Sequence, residues 1–192
     1  MDGRWGVRPD IAIDGTDSQP RWRGGTVLYL DFDGVLHPEN VWRYPGSGPY
    51  VPSAPGHQVF EHAALLERCL VPYPGLRIVL STNWMRVFRS VRKVARRLPP
   101  GLRERVVGAT FHRRMDAGWV RSVPRGVQVW GDVRRRRPDA WLALDDDEAG
   151  WPAVCRSHLV CTDPVLGLSA PAVLTELHAR RAAMPRTDGC WP

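Results

Sequence analysis

The sequence predicts an α/β fold: an open, mostly parallel sheet with helices on both faces. Two observations carry this reading. Five short apolar runs alternate with segments whose apolar residues recur at helical spacing, the pattern of parallel strands joined by crossover helices. The first of these runs is apolar at nearly every position, as a strand covered on both faces must be. At 192 residues the chain is long enough for one good-sized core and short for two. A hydrophobic content of 43% suits a globular protein, which leaves one domain as the simplest organisation.

Taken in order, residues 1–24 are rich in Gly, Asp, Arg and Pro without a sustained period and read as a flexible N-terminal arm. The single domain is expected over 25–184, with 185–192 as a C-terminal tail. Strands are predicted at 26–30 (TVLYL), 76–80 (LRIVL), 105–110 (RVVGAT), 141–144 (WLAL) and 158–161 (HLVC). Residues 37–56 carry repeated Pro and Gly and read as a long loop, a length usually tied to function. Helical spacing is found over 57–70, through Val59, Phe60, Ala63, Leu66 and Leu70. It recurs as a basic amphipathic helix over 85–98, stopped by Pro99, Pro100 and Gly101. A further helix is expected over 122–136, with Ser122 as N-cap and Pro124 in its first turn, and a last one over 170–184.

Three of the strands end in polar groups. Leu30 is followed by Asp31, Leu80 by Ser81, and Leu144 by Asp145. In an open parallel sheet the C-terminal strand ends share one edge, where ligands bind. Any one of these residues alone would pass for a turn or cap residue. Three at strand ends, with further acids at Asp33, Asp146 and Asp147, point to a site. Clustered carboxylates repel unless a cation neutralises them, and an oxygen-only set of Asp31, Asp33, Asp145 and Asp146 favours Mg²⁺ over zinc. A carboxylate beside Mg²⁺ and a phosphate can act as nucleophile and form an aspartyl-phosphate. A second acid two residues on can protonate the leaving oxygen and then activate water.

These residues resemble the motifs of the haloacid dehalogenase (HAD) superfamily, whose Rossmann-like fold opens with DxDGx[VLT]. Asp31-Phe32-Asp33-Gly34-Val35 matches it. The resemblance implies that Asp31 is the nucleophile and Asp33 the acid/base. It implies Ser81, or the adjacent Thr82, as the second-motif hydroxyl, and Asp145 and Asp146 as the acidic pair, with Asp147 to spare. For the phosphate-steadying base the pattern points to Arg125, with Arg121 one turn earlier as the alternative. The chain looks closest to the small HAD domains of Swiss-army-knife RNA-repair proteins. It shares with them DGVL followed by His37-Pro38, the string Ser81-Thr82-Asn83-Trp84, the run from Arg125 to Trp130, and late Thr162-Asp163 and Gly167-Leu168. Asn83 and Gly126 depart from that pattern.

Within the superfamily that the chain resembles, an Asp at position 33 implies phosphatase or phosphomutase chemistry, and mutases there generally need a sizeable cap. No segment has room for one, so a minimal cap or none is expected, over an open site suited to a nucleic-acid end or a nucleotide. A small metabolite closed over by the 37–56 loop is the alternative. Trp42, Tyr44 and Trp84 are candidates to stack a base near the phosphate, with Thr82 and Asn83 as further substrate contacts. Core packing is the other reading of Trp84, and loop anchoring that of Trp42.

The formal charge of +7 suits a nucleic-acid partner, and Arg134 to Arg137 form the densest basic tract. Yet 26 of the 27 basic residues are Arg, a compositional bias that weakens the inference, and the tract also reads as a solvated helix end. A non-catalytic nucleic-acid-binding or regulatory module on the same scaffold is therefore the rival. Four cysteines without a CxxC pair read as core residues, not as a zinc site. With no run long enough to span a membrane and no signal-peptide pattern, a cytoplasmic protein is expected.

Overall fold

A computed structural model describes residues 20–39, 42–43, 49–50, 56–111, 115, 118 and 122–184. The N-terminal arm up to residue 19, most of the 37–56 loop including Tyr44, Arg121 and the 185–192 tail lie outside the described residues. The predicted strands form one sheet. Strands β1 (Thr26–Leu30), β4 (Arg77–Leu80), β5 (Val106–Ala109), β6 (Ala140–Asp145) and β7 (Leu159–Cys161) lie in the order β5-β4-β1-β6-β7, every pair parallel. This is an open Rossmann-like α/β sheet. Its strand order reverses between β1 and β6, the point where such sheets bind ligands.

Register brings the polar strand ends level. Leu30 pairs with Leu80 on one side and Leu144 on the other. The ladder continues past the strands, since the Ser81 amide donates to the Leu30 carbonyl (2.8 Å) and the Asp31 amide to that of Leu144 (3.0 Å). Asp31, Ser81 and Asp145 thus sit side by side.

Side chains alternate across the sheet. Leu28, Leu30, Ile78, Leu80, Leu142 and Leu144 face one core, where Leu66 and Leu70 of the helix Ala63–Leu70 and Val173 and Leu177 of the helix Pro171–Ala182 pack. Val27, Tyr29, Val79, Trp141 and Ala143 face the other, covered by Val129 and Val133 of the helix Arg125–Arg136. Burial on both sides explains why all five residues of β1 are buried.

Four expectations are corrected. The basic helix predicted over 85–98 is two short helices, Trp84–Phe88 and Val91–Ala95. Arg89 between them is left-handed (φ 49°), and the Ser90 hydroxyl caps the second by accepting from the Lys93 amide (3.3 Å). Left-handed Arg89 ends the first helix and Ser90, in extended backbone, starts the second, where apolar spacing alone would run one helix through. The helix predicted from 57 begins at Ala63, because the Glu61 carboxylate draws the Gln58 amide (3.2 Å) and His57 into a turn instead. The helix predicted from 122 begins at Arg125 with Pro124, not Ser122, at the cap. The 37–56 loop contains a hairpin of two-residue strands, β2 (Trp42–Arg43) and β3 (Pro49–Tyr50), too short to leave a sequence pattern.

The arginine tract is not one solvated face. Arg136 is 3% exposed, its Nε donating to Asp132 (2.5 Å) and its Nη1 to the Trp22 carbonyl (3.0 Å). Arg135 also pairs with Asp132, which accepts from the Tyr29 hydroxyl (3.1 Å). Only Arg134 and Arg137 are exposed. The helix turns Arg136 inwards because it needs a buried partner for Asp132, four residues back on the same face.

Candidate active site

The turn after β1 is held from several sides. Val35 and Leu36 donate their amides to the Phe32 carbonyl (3.2 and 2.8 Å), and the Thr162 hydroxyl donates to the Gly34 carbonyl (2.7 Å). Leu168 donates its amide to the Val35 carbonyl (2.9 Å), so the late Thr162 and Gly167-Leu168 strings brace this turn. Gly34 has φ +67°, and a Cβ there would sit 2.2 Å from Asp146 Oδ2. Only glycine allows the turn and Asp146 to share this space.

Around this turn the three sheet-edge acids converge. Asp31, Asp145 and Asp146 each offer an oxygen within 4.8 Å of the others. Asp31 and Asp145 are 4% and 2% exposed, and Asp146 is half-buried. Arg125 reaches them from the start of its helix, with Nη2 3.3 Å from Asp31 Oδ2 and Nε 3.5 Å from Asp145 Oδ2. The helix can come so near because residue 126 is glycine: a Cβ there would lie 2.5 Å from the Trp151 ring.

Among the described residues Arg125 is the guanidinium paired with this cluster of three carboxylates, which leaves the cluster short of positive charge. Burial pushes the Asp31 carboxyl above its ordinary range, opposed by Arg125 and reinforced by Asp33. Burial and then Asp31 hold Asp145 well above it. Burial and Asp31 raise Asp146 to about 7. Burial works against the charge on Arg125, but Asp31 and Asp145 outweigh it and raise its pKa. Three crowded carboxylates with oxygen donors fit a small divalent cation such as Mg²⁺. Asp33 does not join this set as expected. Its carboxylate turns to Trp84, whose Nε1–H lies 2.9 and 3.2 Å from the two oxygens, and to His37 Nε2 at 3.0 Å. A side chain two residues from Asp31 on a tight turn points to a different side of the cleft.

Of the two candidate hydroxyls, Thr82 is the one whose side chain acts on the Asp31 carboxyl, lowering its pKa against the effect of burial. Ser81 is 1% exposed, and its Oγ has no hydrogen-bond partner among the described residues. Adjacent residues at a strand end project to opposite sides, so only one can face the carboxylate. Asn83 is exposed at the cleft, where its Oδ1 accepts from Arg86 Nη1 (3.1 Å). Trp84 does not offer a platform for a base. It is 7% exposed, with its ring packed against Phe32, Phe60, His37 and Phe88. The backbone of Trp42 lies in β2, and its side chain is outside what the structure describes.

The cleft over the acids has a volume of about 290 Å³ and is lined also by Glu39, Arg86 and Gln128. Sequence reasoning singled out none of these three. His37, wholly buried beside Asp33, was visible only as part of a shared string. Its position four residues after Asp33 was the available signal.

The family model for the HAD domain in Swiss Army Knife RNA repair proteins matches residues 27–173. The chain belongs to this family. Membership accounts for the parallel sheet and the acids at its switch point, and it makes HAD-type hydrolase chemistry the general class of activity. HAD proteins typically use Mg²⁺, which agrees with the acidic cluster of this HAD domain. Neither the curated proteins nor the solved structures give a match to the chain. Among the described residues no helix is long and apolar enough to cross a membrane.

Proposed function

We propose that this HAD domain is a Mg²⁺-dependent cytoplasmic phosphatase that hydrolyses a phosphate monoester through an aspartyl-phosphate on Asp31. The phosphorylated end of a nucleic acid, or a nucleotide, is the substrate class. The observation that carries the reading is the pairing of two acids with different surroundings. Asp31 is buried among carboxylates beside the Arg125 guanidinium, while Asp33, two residues on, is turned to the ring nitrogens of His37 and Trp84.

Asp31, Asp145 and Asp146 would hold the cation, which would neutralise them and the incoming phosphate. Asp31 then attacks phosphorus as the bond to the leaving oxygen breaks, and Asp33 gives that oxygen a proton. Arg125 steadies the phosphoryl oxygens and Thr82 orients the nucleophile. In the second half a water gives its proton to Asp33 as its oxygen attacks phosphorus. The bond to Asp31 breaks, and inorganic phosphate leaves. Phosphate release from 4-nitrophenyl phosphate, nucleotides, sugar phosphates and 3′- or 5′-phosphorylated oligonucleotides, with and without Mg²⁺, tests the proposal. No release from any of them would leave the non-catalytic binding module.

The metal assignment has a pH signature. Asp146, raised to about 7, is partly protonated at neutral pH, so a cation must displace that proton. Mg²⁺ affinity should rise from pH 6 to pH 8. Calorimetry in buffers of different ionisation enthalpy should show proton release at pH 6 that fades by pH 8. Without metal, the folded chain binds more protons than the unfolded one between about pH 4 and 7, so its stability should fall as pH rises there. Affinity independent of pH, or full activity in a chelator, would refute the assignment.

The substrate class rests on the family's description, the basic charge and the open cleft. If an oligonucleotide backbone meets the basic surface, affinity should fall steeply with salt, by roughly 0.7 in log–log slope per phosphate contacted. Replacing exposed Arg134 and Arg137 by Ser should flatten that slope and leave hydrolysis of a small ester unchanged. Arg136 must stay, since its loss would take one of the two guanidinium partners from buried Asp132. Equal slopes for oligonucleotide and mononucleotide, unchanged in the double variant, would leave the small-metabolite phosphatase.

A further inference from the structure

His37 has no part in the scheme above, yet it is wholly buried against the acid/base residue. Its hydrogen bonds determine its tautomer. The Phe60 amide donates to Nδ1 (3.3 Å), so Nδ1 carries a lone pair and not a proton. The ring proton is therefore on Nε2, which donates to Asp33 Oδ1 (3.0 Å). Trp84 Nε1–H donates to the same carboxylate from another side (2.9 Å).

The Phe60 amide is held on Nδ1 by an unusual backbone. Phe60 has φ 67°, a left-handed conformation that a bulky residue adopts only where its surroundings impose it. Its ring packs edge-on against His37, Phe32 and Trp84, with centroids 5.1 to 5.2 Å away. A chain of donors thus runs from Phe60 through His37 to Asp33 inside an aromatic box, and a strained residue maintains its first link.

We infer that His37, supported by Phe60 and joined by Trp84, is a positioning residue that aims the Asp33 carboxylate at the leaving oxygen and then at the attacking water. The inference rests on the phosphatase reading and adds to it the residues that orient its acid/base. Asp33 must lose a proton to the leaving oxygen in the first half-reaction and gain one from water in the second, so a misaimed carboxylate slows both. The first slows only when the leaving group needs a proton. 4-Nitrophenolate leaves without one.

This difference separates positioning from mere structural support. His37→Asn keeps an acceptor near Nδ1 but loses the donor that reaches Asp33, whereas His37→Gln extends an amide N–H to about the Nε2 position. With 4-nitrophenyl phosphate and Mg²⁺, His37→Asn should release one equivalent of nitrophenolate as fast as the wild type. Its steady-state kcat should then fall on the order of tenfold to a hundredfold, with KM little changed. His37→Gln should recover most of that loss. Trp84→Phe, which keeps a ring and removes the other donor, should give the same split if His37→Asn does not fold. Unchanged turnover, equal slowing of the first release and the steady state, or a Gln variant as slow as Asn would each overturn the inference. An inactive wild-type protein, or an active Asp31→Asn, would remove the phosphatase reading itself.

Discussion

Asp31→Asn is expected to lower turnover at least ~10³-fold while leaving the fold intact, as for loss of other catalytic nucleophiles. The amide has the size of the carboxylate, and its oxygen can still accept from the Phe32 amide, which lies 2.7 Å from Asp31 Oδ1. What disappears is the negative oxygen that the proposed mechanism directs at phosphorus. The stability effect has a definite sign. Asp31 is raised by burial and by Asp33, so its charge is a burden on the metal-free fold that Arg125 offsets only in part. The variant should therefore melt at or above the wild-type temperature without metal, and lose the shift that Mg²⁺ gives the wild type. Near-normal hydrolysis of a phosphate ester would sink the covalent mechanism. A large drop in melting temperature would show the carboxylate to be structural instead.

Arg125→Gln should cost ~10²- to 10³-fold in turnover, the scale for removing one donor to a developing oxyanion. Among the described residues Arg125 is the cation that pairs with both Asp31 and Asp145, so its loss takes that counter-charge from two buried carboxylates. Metal-free protein should be destabilised, the opposite of Asp31→Asn, and Mg²⁺ should restore part of the loss. The two variants thus move stability in contrary directions while both cut turnover steeply, a pattern that general misfolding would not produce. Arg121→Gln separates the two candidate bases. It should stay within about twofold of wild type, and a larger loss there than at Arg125 would transfer the role.

Much of this site is present in the chain's own pattern. Consecutive apolar residues mark β1 as buried on both faces whatever surrounds it, and the acids that follow β1 and β6 must reach the same sheet edge once the strands are parallel. Asp31, Asp145, Asp146 and Arg125 were legible for that reason. Local chemistry also marked stops that spacing overrode: Ser90 could have been read as a cap within 85–98, and its hydroxyl does cap the second of two helices.

Other features depended on partners far along the chain. Whether Ser81 or Thr82 meets Asp31 depends on which way each projects from β4, and the two are equivalent as letters. Arg134, Arg135, Arg136 and Arg137 are identical in sequence. Yet Arg136 is buried because Asp132 lies one turn back and the Trp22 carbonyl lies opposite. Asp33 belongs by spacing with the clustered acids at the sheet edge and by structure with His37 and Trp84. Trp84 is as apt to stack a base as any exposed indole until Phe32, Phe60 and Phe88 enclose it. The sequence by itself determined the five strands of the main sheet, their parallel direction and the acids at their ends, because those follow from burial and periodicity within each segment and from alternation with helices. Only the tertiary structure decided where each polar side chain points, because a donor or a carboxylate turns to whichever partner the packing of distant segments brings within about 3 Å.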